Sequence, residues 1–204
     1  MRFIKFLAAG IIILLISCKA LLPQPTPLLI NHLIDLNNET QSLFIACSEG
    51  PIYNPRVEGC QPEKLNTLAK ETREVAKSFI AGDIKQPQGY DIYLQTTLIY
   101  FRIALRTEDE YSEAERIARQ FFEVQKASSG RSLNLSRFYW AAAAAEYAGW
   151  QIINKPQDLT KDRNQELLLC AAEASLAMEQ IEDNFMRARI FEYIQLLVLI
   201  GGMS

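Results

Sequence analysis

A single histidine, His32, supplies all the imidazole in this chain of 204 residues. Ser-His-Asp and Cys-His sites therefore lack their usual base unless His32 itself serves, and a lone histidine beside Asn31 on a helix is ordinarily a surface residue. The chain also has no G-x-S-x-G, no phosphate loop, no G-x-G-x-x-G and no H-E-x-x-H. Lys and Arg never cluster beyond a pair, and the formal net charge is −3. A phosphate backbone needs a basic footprint, so nucleic acid is not expected as a partner. No two close-spaced pairs of Cys or His occur, so neither a metal nor any other cofactor is expected. Alternating polar and apolar strands longer than a few residues are missing as well.

What the chain does have is material for a core. Hydrophobic residues make up 49% and charged residues 22%, ordinary values for a folded domain, and the length suits one domain rather than two. The N-terminus reads separately from the rest. Arg2 and Lys5 precede an apolar run from Phe6 to Ile16, which ends at the small polar Ser17 before Cys18. That is the layout of a signal peptide, and the run is short of the roughly 20 apolar residues that a membrane span needs. An uncleaved anchor requires Lys5 and Lys19 to reach back to the membrane surface.

The four residues Leu15-Ile16-Ser17-Cys18 closely resemble the lipobox of bacterial lipoproteins. The resemblance implies that Cys18 is lipidated and becomes the first residue of the mature chain. It covers only the leader. Residue Lys19 stands where some Gram-negative lipoproteins carry an Asp that retains them in the inner membrane, so the resemblance favours an outer-membrane anchor if the source is Gram-negative. The expected organisation is a signal peptide over 1–17, the lipidated cysteine with a Pro-rich tether over 18–27, and a helical domain over 28–204. Pro23, Pro25 and Pro27 alternate through the tether and deny it regular backbone pairing.

Three cysteines remain. Cys47 and Cys60 flank a turn-rich stretch containing Gly50, Pro51, Asn54, Pro55 and Gly59, and an exported protein meets an oxidising compartment. A disulfide between them is expected, with zinc the rival that this ligand spacing does not serve. Cys170 lies in an apolar run and is expected to be a buried thiol.

The rest of the chain is expected to be all-α, with about seven helices in antiparallel hairpins. Leu29, Leu33, Leu36, Thr40, Leu43 and Cys47 alternate at spacings of four and three, and Leu65, Leu68, Thr72, Val75 and Phe79 repeat the pattern after Pro62. A third helix, from about Asp91 to Arg106, follows a loop with Pro87 and Gly89 and is apolar around most of its circumference. Thr107-x-x-Glu110 is a capping box for a fourth, on which Glu115 and Arg119 can pair. A fifth spans about Leu135 to Ile153 and contains the run Ala141 to Ala145. Thr160 caps a sixth reaching Ile181, and a seventh runs from about Asn184 to Ile200. Bundle and repeat-like array both fit this pattern. Tyr111-Ser112-Glu113-Ala114 with Ala118 and Phe121 resembles the second helix of a tetratricopeptide repeat, echoed faintly by Ala174 to Ile181. That resemblance lacks the first-helix Trp, Leu and Gly signature and shows no clean period.

Candidate recognition residues are aromatic. If alternate helices line a common surface, Tyr93 and Tyr100 on the third and Tyr139 and Trp150 on the fifth can present rings to a partner, core packing being the alternative. Arg102 and Glu146 stand among apolar residues and, on stacked neighbouring helices, are expected to form a structural ion pair. The functional expectation is a non-catalytic, lipid-anchored envelope adaptor, joined to the membrane by its lipid and to a protein partner by a helical-hairpin surface. The alternatives are an envelope enzyme acting on glycan through carboxylates, with Glu146 its acid, and a protein holding a small ligand between helices. Two sequons, at Asn38 and Asn134, carry no weight beside a bacterial leader.

Overall fold

Among the described residues the apolar spacings above become seven helices. The computed structural model describes residues 27–49, 52–80 and 87–203; the leader, Cys18 and all of the tether but Pro27 lie outside them. The order is α1 (Pro27–Ala46), β1 (Ser48–Glu49), β2 (Ile52–Tyr53), α2 (Pro62–Ile80), α3 (Pro87–Ile103), α4 (Glu108–Ala127), α5 (Leu133–Asn154), a 3-10 turn (Pro156–Asp158), α6 (Lys161–Met178) and α7 (Asn184–Gly201). The expected all-α class holds, with one ribbon of two-residue strands pairing Ser48 with Tyr53 and Glu49 with Ile52. Among the described residues no helix is long and apolar enough to cross a membrane.

Side chains fix several helix ends. The Thr160 hydroxyl accepts the Arg163 backbone N–H, and the Asp183 carboxylate accepts that of Met186 at 2.7 Å. Glu110 accepts the Thr107 N–H at 3.0 Å and so closes the start of α4. Each such cap stabilises its helix by about 1 kcal/mol. Helix α3 starts four residues earlier than the spacing suggests. Pro87 is a first-turn residue because its missing N–H has no partner to lose there. Gly89 sits within the helix against α2, where an added Cβ would lie 2.7 Å from Phe79 Cβ.

Cys47 and Cys60 are joined by a disulfide with a Cα separation of 4.6 Å. The bridge closes a 13-residue separation over the small ribbon, and Cys47 packs on Leu65 and Ile99. A loop of that size confers about 3 kcal/mol through lost unfolded-state entropy. The bridge ties the end of α1 to the start of α2, while the buried Thr40 and Thr72 hydroxyls meet at 3.0 Å between the same helices.

Short connections pack each helix antiparallel to the next, and a second set of contacts joins alternate helices: α1 to α3, α3 to α5, and α5 to α7. The odd-numbered helices therefore form one layer and the even-numbered helices another, the arrangement of stacked hairpins. Helix α5 is central, touching α3, α4, α6 and α7. Its run Ala141 to Ala145 is buried throughout, and the small side chains let the neighbours close in.

The even layer is joined mainly by charges. Lys77 of α2 meets Glu113 of α4 at 2.8 Å; Arg119, Lys126 and Glu115 of α4 meet Glu166, Glu173 and Arg163 of α6. The expected pairing of Glu115 with Arg119 within α4 is replaced by these contacts between helices. The sixth helix presents complementary charges at the right height, and Glu115 takes both terminal nitrogens of Arg163 at 2.7 and 2.6 Å. A fork of that kind is worth more than an exposed pair along one helix.

Candidate functional site

The odd layer carries the candidate site. A groove of about 490 Å³ runs across it from α1 to α7. Phe44 and Ile45 of α1, Leu98 and Ile99 of α3, Leu135 and Phe138 of α5 and Met186 of α7 supply its apolar lining. Its polar lining is Gln41, Asp91, Gln95, Tyr139, Arg102 and Arg189. The local sequence explains this surface. Helix α3 is apolar all round, so burying one side on α2 leaves a second apolar side facing the groove.

Hydrogen bonding in the groove is lopsided. The Tyr139 hydroxyl donates to Asp91 at 2.5 Å, and the Gln95 carbonyl oxygen accepts from Asn37, so two acceptors are engaged. The donors are less so. Gln41 Nε2 and Arg189 Nε are buried without a hydrogen-bond partner among the described residues. Among those residues Arg102 reaches only the Tyr193 hydroxyl, at 3.5 Å, and Arg189 reaches the same hydroxyl at 3.3 Å. Two guanidiniums thus meet at one tyrosine of α7, with the exposed Glu192 paired to Arg189. Gln41 Nε2 and Arg189 Nε are enclosed, so the donor an occupant bringing an oxygen acceptor would meet is the weakly engaged Arg102 guanidinium.

The expected pair of Arg102 with Glu146 takes a different form. Helices α3 and α5 do lie side by side, yet among the described residues no salt bridge joins these two side chains. The Tyr193 hydroxyl takes the Arg102 guanidinium instead. Glu146 feels two arginines at longer range: burial raises its pKa above the usual carboxylate value, while Arg102 and Arg189 oppose the rise. An acid whose folded-state pKa is raised makes the folded state less favoured once pH climbs past its unfolded value of about 4.3. Glu146→Gln is therefore expected to stabilise the protein at pH 7, with the gain vanishing below pH about 4, where both forms are neutral. Urea denaturation of the two proteins across that range checks it. A difference independent of pH contradicts this assignment of the raised pKa.

Three of the four aromatic candidates are core residues. Tyr93 is wholly buried, its pKa raised by burial against the opposing charge of Arg73. Tyr100 is also buried and donates to Glu110 at 2.9 Å. Tyr139 is buried too, although it borders the groove. Trp150 is half-buried against Tyr111 and Tyr147 rather than on the groove. The reason is that α3 and α5 are enclosed on several sides, so rings at helical spacing fill the interior between the layers.

The residue that gathers these rings, Arg73, escaped the sequence reading. It is 2% exposed on α2. Its Nε donates to Thr97 Oγ1 at 2.9 Å and a terminal nitrogen to the Tyr93 hydroxyl at 3.2 Å, while its guanidinium lies 4.5 Å from the Tyr100 ring centre. A signal was present: Arg73 stands four residues after Ala69 and three before Ala76, on the face that packs inward.

Cys170 is the free cysteine among the described residues; it is buried, and burial pushes its thiol well above the usual range. His32 is exposed on α1. Among the described residues no group of three or more His, Cys, Asp or Glu is placed to hold a metal ion. No family model, no curated protein and no solved structure matches this chain.

Proposed function

We propose that this chain is a non-catalytic adaptor of a bacterial cell envelope, anchored through lipid on Cys18, that holds a protein partner in the groove across α1, α3, α5 and α7. The observation that carries the reading is the groove itself: an apolar channel crossing four helices, with the weakly engaged Arg102 guanidinium and Arg189 in its lining. The segment that suits it is apolar and carries a carboxylate. Apolar side chains bury against Leu98, Ile99 and Phe138, and the carboxylate accepts from Arg102 and Arg189 beside Tyr193.

A second reading keeps the same groove and gives it a small acidic ligand. Its volume falls within the range of about 300 to 1,000 Å³ typical of small-molecule sites. The glycan-enzyme reading gains nothing from the geometry, because Glu146 does not line the groove.

The anchor and the partner are tested separately. Cys18→Ala is expected to abolish incorporation of a fatty-acid analogue during metabolic labelling, and unchanged incorporation contradicts the anchor. Mild crosslinking of the natively lipidated protein in its envelope, followed by purification, is expected to recover one discrete partner protein. Recovery of the chain with a small molecule only supports the second reading instead.

A further inference from the structure

The groove carries opposite charges at two places along α3. Asp91, Gln95, Leu98, Ile99 and Arg102 recur at helical spacing, so one side of α3 lines it throughout. The eleven residues from Asp91 to Arg102 amount to about 16 Å of helix. Phe138 of α5 stands between the two charged places. Its ring centre lies 5.5 Å from that of Tyr139, whose hydroxyl donates to Asp91, and 6.1 Å from that of Tyr193, whose hydroxyl takes Arg102 and Arg189.

Neither charge is fully engaged. One Asp91 oxygen accepts from Tyr139, while the other has no hydrogen bond, and the carboxylate no salt bridge, among the described residues. Arg102 has one hydrogen-bond partner among them, the Tyr193 hydroxyl at 3.5 Å. Glu192 pairs with Arg189 and not with Arg102; Glu146, which is not in the lining, balances Arg102 at longer range without taking its N–H groups. An open acid and an open guanidinium therefore flank an apolar middle of Leu98, Ile99 and Phe138. The lining also limits the shape of the occupant. All of it belongs to helices, so an extended chain finds no sheet edge and would press unpaired N–H and C=O groups against apolar side chains. A helix satisfies those groups itself.

We propose that the occupant of the groove is an amphipathic helix of the partner protein, lying along α3 with a basic side chain on Asp91 and an acidic one on Arg102. The two charges stand about eleven residues apart on that helix, with apolar side chains between them against Leu98, Ile99 and Phe138. This deepens the reading of the groove as a protein-binding site and rests on it. Residues four, seven and eleven apart share one helical face, so a single face carries both charges and the apolar anchors. The charges also set the direction. Turned end for end, the helix puts its acid against Asp91 and its base against Arg102, and like charges disfavour that register.

The probe is a displayed library of helical peptides of about 16 residues, apolar along one face, in which two positions eleven apart on that face vary among Glu, Gln and Lys. It is panned against the full-length chain purified from envelopes in mild detergent. Peptides with one Glu and one Lys are expected to be enriched roughly tenfold over those with two Glu, two Lys or two Gln. Asp91→Asn keeps an acceptor for the Tyr139 hydroxyl, and it is expected to accept Gln as readily as Lys while still selecting Glu. Arg102→Gln is expected to lose the choice of Glu instead; if it fails to fold, Asp91→Asn decides alone. The proposal is overturned if no peptide is enriched, if like-charged or uncharged pairs are enriched as well, or if Asp91→Asn still selects Lys. Ile45→Asp separates this failure from that of the groove, since Ile45 lines it and is 70% exposed. Enriched peptides that lose binding to Ile45→Asp but show no charge choice overturn the paired helix and leave the groove standing. Peptides that bind Ile45→Asp as well as the unsubstituted chain overturn both.

Discussion

Arg73→Met is expected to lower the unfolding free energy by about 3 kcal/mol, more than any exposed charge substitution in this chain. Methionine replaces the stem of the arginine but none of its donors. Thr97 and Tyr93 lose the fork that reaches them at 2.9 and 3.2 Å, and Glu110 loses a cation 3.9 Å away. Removing one member of a buried charged group costs about 3 to 5 kcal/mol because the remaining groups stay desolvated. The lower end applies here, since Glu110 keeps the Thr107 N–H and the Tyr100 hydroxyl. Arg73→Lys restores little: an ammonium has no planar fork to serve Thr97 and Tyr93 together. Urea titrations at neutral pH measure both variants, and a loss below about 1 kcal/mol for Arg73→Met contradicts this assignment of the centre between α2 and α3.

The second large effect concerns the groove. The double substitution Arg102→Gln with Arg189→Gln is expected to weaken partner binding by a factor of about 10 to 100, the usual scale for removing charged donors from a desolvated carboxylate. Some loss of stability at neutral pH is expected alongside, because Arg102 and Arg189 offset the charge of Glu146, although neither forms a salt bridge with it among the described residues. Melting temperature therefore separates lost binding from lost structure. Affinity equal to that of the unsubstituted protein contradicts a carboxylate at this end of the groove.

The parts of this architecture that the sequence made legible are those governed by period. Helix count, the faces of α1 and α2, the cap at Thr160 and the disulfide follow from spacing and turn chemistry, which act locally. What it left hidden depends on which side of an apolar helix meets which neighbour. Tyr93 and Tyr100 illustrate the limit: helix α3 is apolar all round, so its rings fit core and groove equally well until α2 and α4 are placed. Arg73 illustrates another, because a charge on an inward face reads as a break in the pattern when it is in fact the hub of a polar cluster. Arg102 and Glu146 did mark a polar centre within the odd layer. Their actual company, Tyr193 and Arg189, comes from α7, far along the chain and with no local signal linking it to α3.

The central claim is that the partner lies along the odd-numbered helices, and site-specific photocrosslinking in intact envelopes tests it most directly. A photoreactive residue at Ile45, which lines the groove and is 70% exposed, should capture the partner; the same group at Leu169 on α6, 54% exposed outside the groove, should not. Capture from Ile45 that disappears in the Arg102→Gln, Arg189→Gln protein is the predicted result. Equal capture from both positions, or capture from Leu169 alone, would place the partner elsewhere and contradict the account.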